Sequence, residues 1–230
     1  YFSLLLLMGK RHRYMSTIRN FTIAILLFLS FGCEGQQNKS QNRAAMADLD
    51  YSRLDTATFA GGCFWCVEAS FEQIAGVAEA VSGYAGGTED NPTYAQVSSG
   101  KTSHAEAVAV YYDPEIIDYS TLLDIFFTAH DPTQLNRQGP DIGPQYRSAI
   151  FYHNEAQGKL AAGKIKELDN SGELPDKVVT EIVPFTRFWV AEDYHQDYEK
   201  HNPKDRYILN VSRPKIDKVA REFSHLLKDN

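Results

Sequence analysis

An α+β fold is predicted for this chain, with helices layered on one face of an antiparallel sheet. Three features point to it. Ala105-Glu106-Ala107-Val108-Ala109-Val110 alternates as a half-buried strand does. Leu122, Ile125, Phe126 and Ala129 fall on one side of a helix. Gly-, Pro- and Asn-rich segments at 86–103 and 131–146 are long loops, and long loops in compact domains usually carry function.

In chain order, Thr56-Ala57-Thr58-Phe59-Ala60 reads as a short strand ended by a tight turn at Gly61-Gly62. A helix over 63–74 follows, because Val67, Phe71 and Ile74 recur at helical spacing. Strands are predicted at 77–84 and 105–112, a helix over 119–130 and a strand at 147–153. A helix over 155–169 and a strand at 178–183 come next. The first six elements run β-α-β-β-α-β, the order of a two-layer ferredoxin-like core with two helices on one face. A last helix, about 214–228, aligns Ile216, Val219, Phe223 and Leu226 as a terminal clasp.

At 230 residues the chain is long enough for one packed domain with appendages. Its 43% hydrophobic and 12% aromatic content is ordinary for a globular protein. The formal charge of −7, with no basic cluster in the body, argues against a nucleic-acid partner. Only three cysteines occur, Cys33, Cys63 and Cys66, too few for a disulfide scaffold.

Residues 1–33 are expected to be an export signal. With a start at Met8 or Met15, basic residues drawn from Lys10, Arg11, Arg13 and Arg19 precede an apolar run from Phe21 to Phe31. That run is shorter than the roughly 20 residues a spanning helix needs and suits a signal-peptide core. It ends Leu29-Ser30-Phe31-Gly32-Cys33, similar to a bacterial lipoprotein signal cut before Cys33, whose thiol is then acylated. The Leu lies one position further upstream than in that pattern. The protein is therefore expected outside the inner membrane, facing the periplasm or exterior on a lipid anchor. A soluble secreted form and an uncleaved anchor are the alternatives. Residues 34–52 read as a flexible tether, 53–213 as the main domain and 214–230 as the terminal helix.

The most informative stretch is Gly62-Cys63-Phe64-Trp65-Cys66-Val67. It sets two thiols three residues apart at the start of a helix, with two large aromatics between them. There the unpaired backbone N–H groups and the helix dipole favour an anion. Such a site can draw a thiol pKa down from about 8.5 toward neutrality and make Cys63 a nucleophile. The spacing also leaves Cys63 and Cys66 close enough for a disulfide after modest adjustment.

Further motifs follow in order: Gly83-Tyr84-Ala85-Gly86-Gly87, Asn91-Pro92-Thr93-Tyr94, His104-Ala105-Glu106-Ala107-Val108 and His130-Asp131-Pro132-Thr133. Asp141-Ile142-Gly143-Pro144-Gln145-Tyr146-Arg147-Ser148 and Ala191-Glu192-Asp193-Tyr194-His195-Gln196 complete the set. Together with Gly62-Cys63-Phe64-Trp65 they resemble the A class of peptide methionine sulfoxide reductases over about residues 55–205. The resemblance implies a monomeric enzyme that reduces the S epimer of methionine sulfoxide, free or in oxidised proteins. It implies thioredoxin as electron donor and no metal or other cofactor.

By that resemblance Cys63 is the nucleophile that ends as a sulfenic acid. Glu106 is the acid, its carboxyl kept protonated by burial; an ionised glutamate on the polar side of the strand is the plainer reading of the residue alone. Tyr94 and Tyr146 donate to the sulfoxide oxygen, Asp141 orients the substrate, and Phe64 and Trp65 wall the methyl group. His130, His195 and the stretch from Tyr194 to Tyr198 read as structural. Many family members carry Gly where this chain has Cys66 and place resolving cysteines near the C-terminus. Here no cysteine follows Cys66, so Cys66 is assigned as the resolving residue, against a reading as a small buried hydrophobe.

Three other readings compete. Cys63, Cys66 and His104 are zinc-ligand types, with Glu106 as acid/base, but their order reverses that of zinc deaminases. A thioredoxin-like oxidoreductase lacks its Trp-Cys-Gly-Pro-Cys here. A non-catalytic peptide-binding lipoprotein leaves the tyrosine and carboxylate set without a purpose.

Overall fold

The computed structural model describes residues 51–229. The signal, the acylation site at Cys33 and all but the last two tether residues lie outside the described residues. Among those described, no helix is long and apolar enough to cross a membrane.

The strands are β1 (Asp55–Gly61), β2 (Val77–Ala85), β3 (Ala105–Tyr112), β4 (Arg137–Gln138), β5 (Asp141–Ile142), β6 (Ser148–Tyr152), β7 (Glu181–Pro184) and β8 (Phe188–Val190). The helices are α1 (Phe64–Glu72), α2 (Tyr94–Ser98), α3 (Tyr119–Ala129), α4 (Glu155–Ser171), α5 (Tyr198–His201) and α6 (Arg213–Glu222). The main sheet runs β7-β6-β1-β3-β2-β8. Its inner four strands, β6-β1-β3-β2, are all antiparallel, which is the ferredoxin-like order expected. The edges extend it. β7 joins β6 in parallel across α4, and β8 pairs antiparallel with β2, so the full sheet is mixed.

Alternation on β1 and β3 sorts the two faces. Ala57 and Phe59 from β1, with Val108, Val110 and Tyr112 from β3, face the helices. Phe59 sits at the centre, stacked on Phe126 at 4.8 Å and Phe71 at 5.4 Å between ring centroids. Small residues, Ala60, Ala85, Ala105, Ala107 and Ala149, occupy the other face around Phe151. Asp118 caps α3 by accepting from Thr121 N at 2.7 Å, and Asn154 caps α4 through Gln157 N at 3.0 Å.

The C-terminal segment departs from one long helix. A π-helical turn, Ile208–Ser212, runs directly into α6, which stops at Glu222. Phe223 leaves helical geometry, and the chain end turns onto the α1–β2 connection. There Ala75 N bonds Leu226 O at 2.7 Å and Lys228 N bonds Gln73 O at 2.9 Å. The clasp is therefore partly backbone pairing, and it holds α6 beside α1.

Candidate active site

The Gly61-Gly62 turn fixes where Cys63 points. Gly62 has φ +92°, and a Cβ there would lie 2.5 Å from Gln138 Cβ. Gln138 is itself clamped, donating to Asp131 O at 3.0 Å and accepting from Asp131 N at 3.2 Å. Beneath the turn, His130 is neutral because burial lowers its pKa to about 4. Its Nδ1–H donates to Phe126 O, and its Nε2 accepts from the Ser148 hydroxyl, each at 2.7 Å. This is the bracing role expected of it.

Cys63 is the N-cap of α1, and Cys66 N closes the first turn onto Cys63 O at 3.2 Å. Both thiols are free and buried, within hydrogen-bonding reach of each other. The expected fall in the Cys63 pKa is not found. Burial pushes it well up, and donation of its S–H to Cys66, with the charges of Cys66 and Glu106, pushes further; a hydrogen bond from Tyr207 offsets only part. Cys66 moves the other way, to about 7. The hydrogen bond from Cys63 outweighs burial, and the Lys215 charge and Ser212 hydroxyl add to it. The pair thus takes one negative charge readily and resists a second. Desolvation of a thiolate between apolar walls outweighs one helix terminus here.

Glu106 lies on the helix-facing side of β3, in line with Val108 and Val110, and is 2% exposed. Continuing the pairing of Phe59 with Val108 brings it level with Gly61, beside the start of α1. The backbone N–H of Phe64 donates to its Oε2 at 3.2 Å. Burial, helped by the charges of Asp141 and Cys66, raises its pKa to about 8 against that bond. At neutral pH the carboxyl is protonated. The exposed, ionised reading of this glutamate is thereby corrected: the strand turns it inward.

Tyr94 and Tyr146 are half-buried on the two long loops. Burial raises both pKa values, that of Tyr94 to about 12, and both phenols sense the charges of Glu106 and Cys63. They converge on the thiol–acid pair as un-ionised donors. Asp141, expected to orient substrate, accepts the hydroxyl of Tyr207. Phe64 is fully buried, whereas Trp65 is half-buried, stacked on Tyr198 at 3.8 Å between centroids. Trp65 Nε1–H donates to His195 Nδ1 at 3.1 Å. His195 packs at 4.2 Å from Tyr94 and is kept neutral by burial, with a pKa of about 4.

A family model for peptide methionine sulfoxide reductases matches residues 55–227. The chain belongs to the peptide methionine sulfoxide reductase family. The peptide methionine sulfoxide reductase of Natronomonas pharaonis is 53% identical over 169 residues, covering 74% of this chain and 95% of that protein. The one from Thermus thermophilus is 48% identical over 174 residues, covering 76% of this chain and 98% of that protein. Among solved structures, reduced Mxr1 of Saccharomyces cerevisiae superposes with TM-score 0.64 at 37% identity, covering 69% of this chain and 91% of that one. Methionine sulfoxide reductase A of Corynebacterium diphtheriae gives 0.61 at 35% identity, covering 66% and 77%. The reductase is accordingly an oxidoreductase.

Several residues of the reductase site escaped sequence reasoning. Tyr207 links Asp141 to the thiol pair, and Ser212 and Lys215 surround Cys66. Glu192 accepts from Tyr94 N at 2.9 Å and from the Tyr84 hydroxyl at 2.8 Å, pinning the loop that presents Tyr94. Its motif position was the one available signal; the others sit in a stretch with no motif. The zinc reading finds no ligand set. Both ring nitrogens of His104 serve its own loop, one accepting from Gly87 N at 3.1 Å and the other donating to Glu89 O at 2.8 Å. Among the described residues no three metal-ligating side chains gather.

Proposed function

We propose that the reductase removes oxygen from the S epimer of methionine sulfoxide, free or in proteins, by a cycle of Cys63 and Cys66. The observation that carries this reading is the meeting of two buried free thiols with a buried, protonated Glu106. The Cys63 proton passes along its hydrogen bond to the Cys66 thiolate. Cys63 then attacks the sulfoxide sulfur while Glu106 gives its proton to the oxygen, as Tyr94 and Tyr146 donate hydrogen bonds to it. Methionine leaves, the hydroxyl stays on Cys63 as a sulfenic acid, and the negative charge has moved to Glu106. Attack by the Cys66 thiol expels water and forms the Cys63–Cys66 disulfide; proximity on one helix turn favours this step. A dithiol of the thioredoxin type returns two electrons. Asp141 and Tyr207 orient the substrate, and Phe64 and Trp65 receive its methyl group.

Burying one methyl contributes only about 0.8 kcal/mol. Epimer choice therefore rests on the oxygen: the wrong epimer sets methyl among the donors and leaves them unpaired. Mixing the protein with each epimer and dithiothreitol tests this. Only the S epimer is expected to yield methionine, and consumption of the R epimer alone refutes it.

The enzyme acts as an exported monomer tethered through an acylated Cys33, so its reductant is an exported thioredoxin-like dithiol. Membrane fractionation checks the anchor. The full chain is expected with membranes and Cys33→Ala in the soluble fraction; equal partition of both rejects it.

A further inference from the structure

We propose that Ser212 and Lys215 make Cys66 the leaving sulfur when the Cys63–Cys66 disulfide is reopened, so that the incoming dithiol bonds to Cys63. The inference rests on the cycle proposed above and adds its direction of re-reduction. Cys66 Sγ and Ser212 Oγ are hydrogen-bonded at 3.0 Å in a fully buried contact, and once Cys66 is ionised the hydroxyl is the donor. Ser212 is the last residue of the π-helical turn that runs into α6. Three residues on, Lys215 Nζ is buried and has no hydrogen-bond partner among the described residues. An ammonium withdrawn from water without a partner is costly unless an anion lies close by. Its charge bears on Cys66 and on the neutral His130, and only Cys66 of these two can become an anion.

The groups facing Cys66 come from five places in the fold. Cys63 caps α1, Ser212 ends the π-helical turn, Lys215 lies on α6, Asp141 on β5 and Glu106 on β3. Tyr207, from the segment before that turn, also faces both thiols. The cation and the hydroxyl stabilise negative charge on Cys66, whereas Asp141 and Glu106 oppose it. Among the described groups that act most strongly on Cys63, none is a cation.

In thiol–disulfide exchange the sulfur of lower pKa leaves faster, and the attacked sulfur must be reachable. Cys63 is 5% exposed and Cys66 1%, so reach and leaving-group strength agree. The reductant's thiolate attacks Cys63 Sγ, a new S–S bond joins them, and Cys66 departs with the electron pair beside Lys215. The second thiol of the reductant then attacks its own mixed disulfide. Cys63 is released reduced, and the reductant leaves as an internal disulfide, two electrons poorer.

Two measurements test this. Enzyme oxidised with diamide is treated with glutathione, which stalls at the mixed disulfide, and the adduct is mapped by peptide mass spectrometry. Glutathione on Cys63 is expected; glutathione on Cys66, or failure of diamide to join the two cysteines, overturns the inference. In a Cys63→Ser background, thiolate absorbance at 240 nm is followed against pH. Lys215→Met is expected to raise the Cys66 midpoint by about one pH unit, Ser212→Ala by less, and Lys215→Arg to restore it. An unmoved midpoint in Lys215→Met overturns the role of Lys215, and the mapping on the unaltered enzyme decides the rest if that variant fails to fold. Should methionine sulfoxide leave the thiols unjoined while diamide-oxidised enzyme still maps to Cys63, the catalytic cycle fails and the present inference stands.

Discussion

Phe64 donates its backbone N–H to Glu106 Oε2 at 3.2 Å, so the opening turn of α1 is tied to the acid beside Cys63. One bond sets thiol and proton donor together, and it also limits how far the carboxyl pKa climbs. Without it the carboxyl would be still harder to ionise, because burial is the largest force on it.

Glu106 titrates near 8, so the reductive step is expected to lose rate as pH rises through that value and the acid form disappears. Single-turnover methionine release between pH 6 and 10 checks this. Glu106→Gln can still donate a hydrogen bond but not a proton. It is expected to slow the step by about 10²–10⁴-fold and to remove the alkaline fall. A wild-type rate in Glu106→Gln places proton donation elsewhere.

Cys63→Ser is expected to abolish reduction. Cys66→Ser is expected to release one methionine per enzyme and then stop when thioredoxin is the donor. Counting methionine per enzyme in a burst experiment separates the two. Sustained thioredoxin-driven turnover by Cys66→Ser removes the resolving role.

Tyr207 has one hydroxyl proton, given to Asp141 while Cys63 is a thiol; turned toward the Cys63 thiolate, the same hydroxyl lowers the Cys63 pKa. In a Cys66→Ser background, Tyr207→Phe is expected to slow alkylation of Cys63 by iodoacetamide about tenfold at fixed pH. A hydrogen bond to a charged group contributes about 1.5–3 kcal/mol, and 1.36 kcal/mol is one pH unit. Unchanged alkylation rules the phenol out of thiol activation.

Much of this site was legible in the sequence, and the exceptions have physical causes. Strand alternation at Ala105–Val110 and the Gly-Gly turn before Cys63 were local signals, and both elements fall where expected, although β3 is buried on both faces and not half-buried. The side to which Glu106 points is not local. It follows from the register of β3 against β1, which no window of sequence contains. Tyr207 was one of 13 tyrosines, outside every motif, and its position depends on a π-helical turn that has no periodic signature. Lys215 gave no local signal, because Cys66 lies 149 positions away, the difference between 215 and 66. The three residues of β8 are too few to show a pattern, and the helix expected to reach residue 228 stops where Phe223 turns toward the core.

Glu68 is a second buried carboxyl, 3% exposed, accepting from Asp197 N at 2.8 Å and bonded to Ser82 Oγ at 2.6 Å. Burial raises its pKa from 4.5 to about 8 against those bonds. The folded protein therefore holds a proton that the unfolded chain releases above 4.5, so stability is full below that pH and falls as pH rises through 8. Glu106 acts with the same sign. The urea midpoint is expected to drop from pH 5 to pH 9, and Glu68→Gln, which keeps a neutral group in place, to flatten that drop in part. An identical pH profile in the variant shows that Glu68 is ionised in the folded state.

The turn before Cys63 gives the sharpest steric prediction. Ala at 62 must hold a left-handed φ of +92° and set its Cβ 2.5 Å from Gln138 Cβ, inside any real carbon–carbon contact. Gln138 cannot yield freely, since both ends of its amide bond the Asp131 backbone. At Gly61 the backbone is unstrained, and a Cβ would meet Phe126 Cε2 at 3.0 Å and His130 Cγ at 3.2 Å. Gly62→Ala is accordingly expected to cost about 2–4 kcal/mol, strain and overlap together, and Gly61→Ala less. Urea denaturation gives both values. Activity measured well below the denaturation midpoint should also fall in Gly62→Ala, because relief of the clash shifts Cys63 away from Glu106. Equal stability of the two variants means the turn relaxes without moving Gln138, and the rigidity argued for the thiol's placement is then lost.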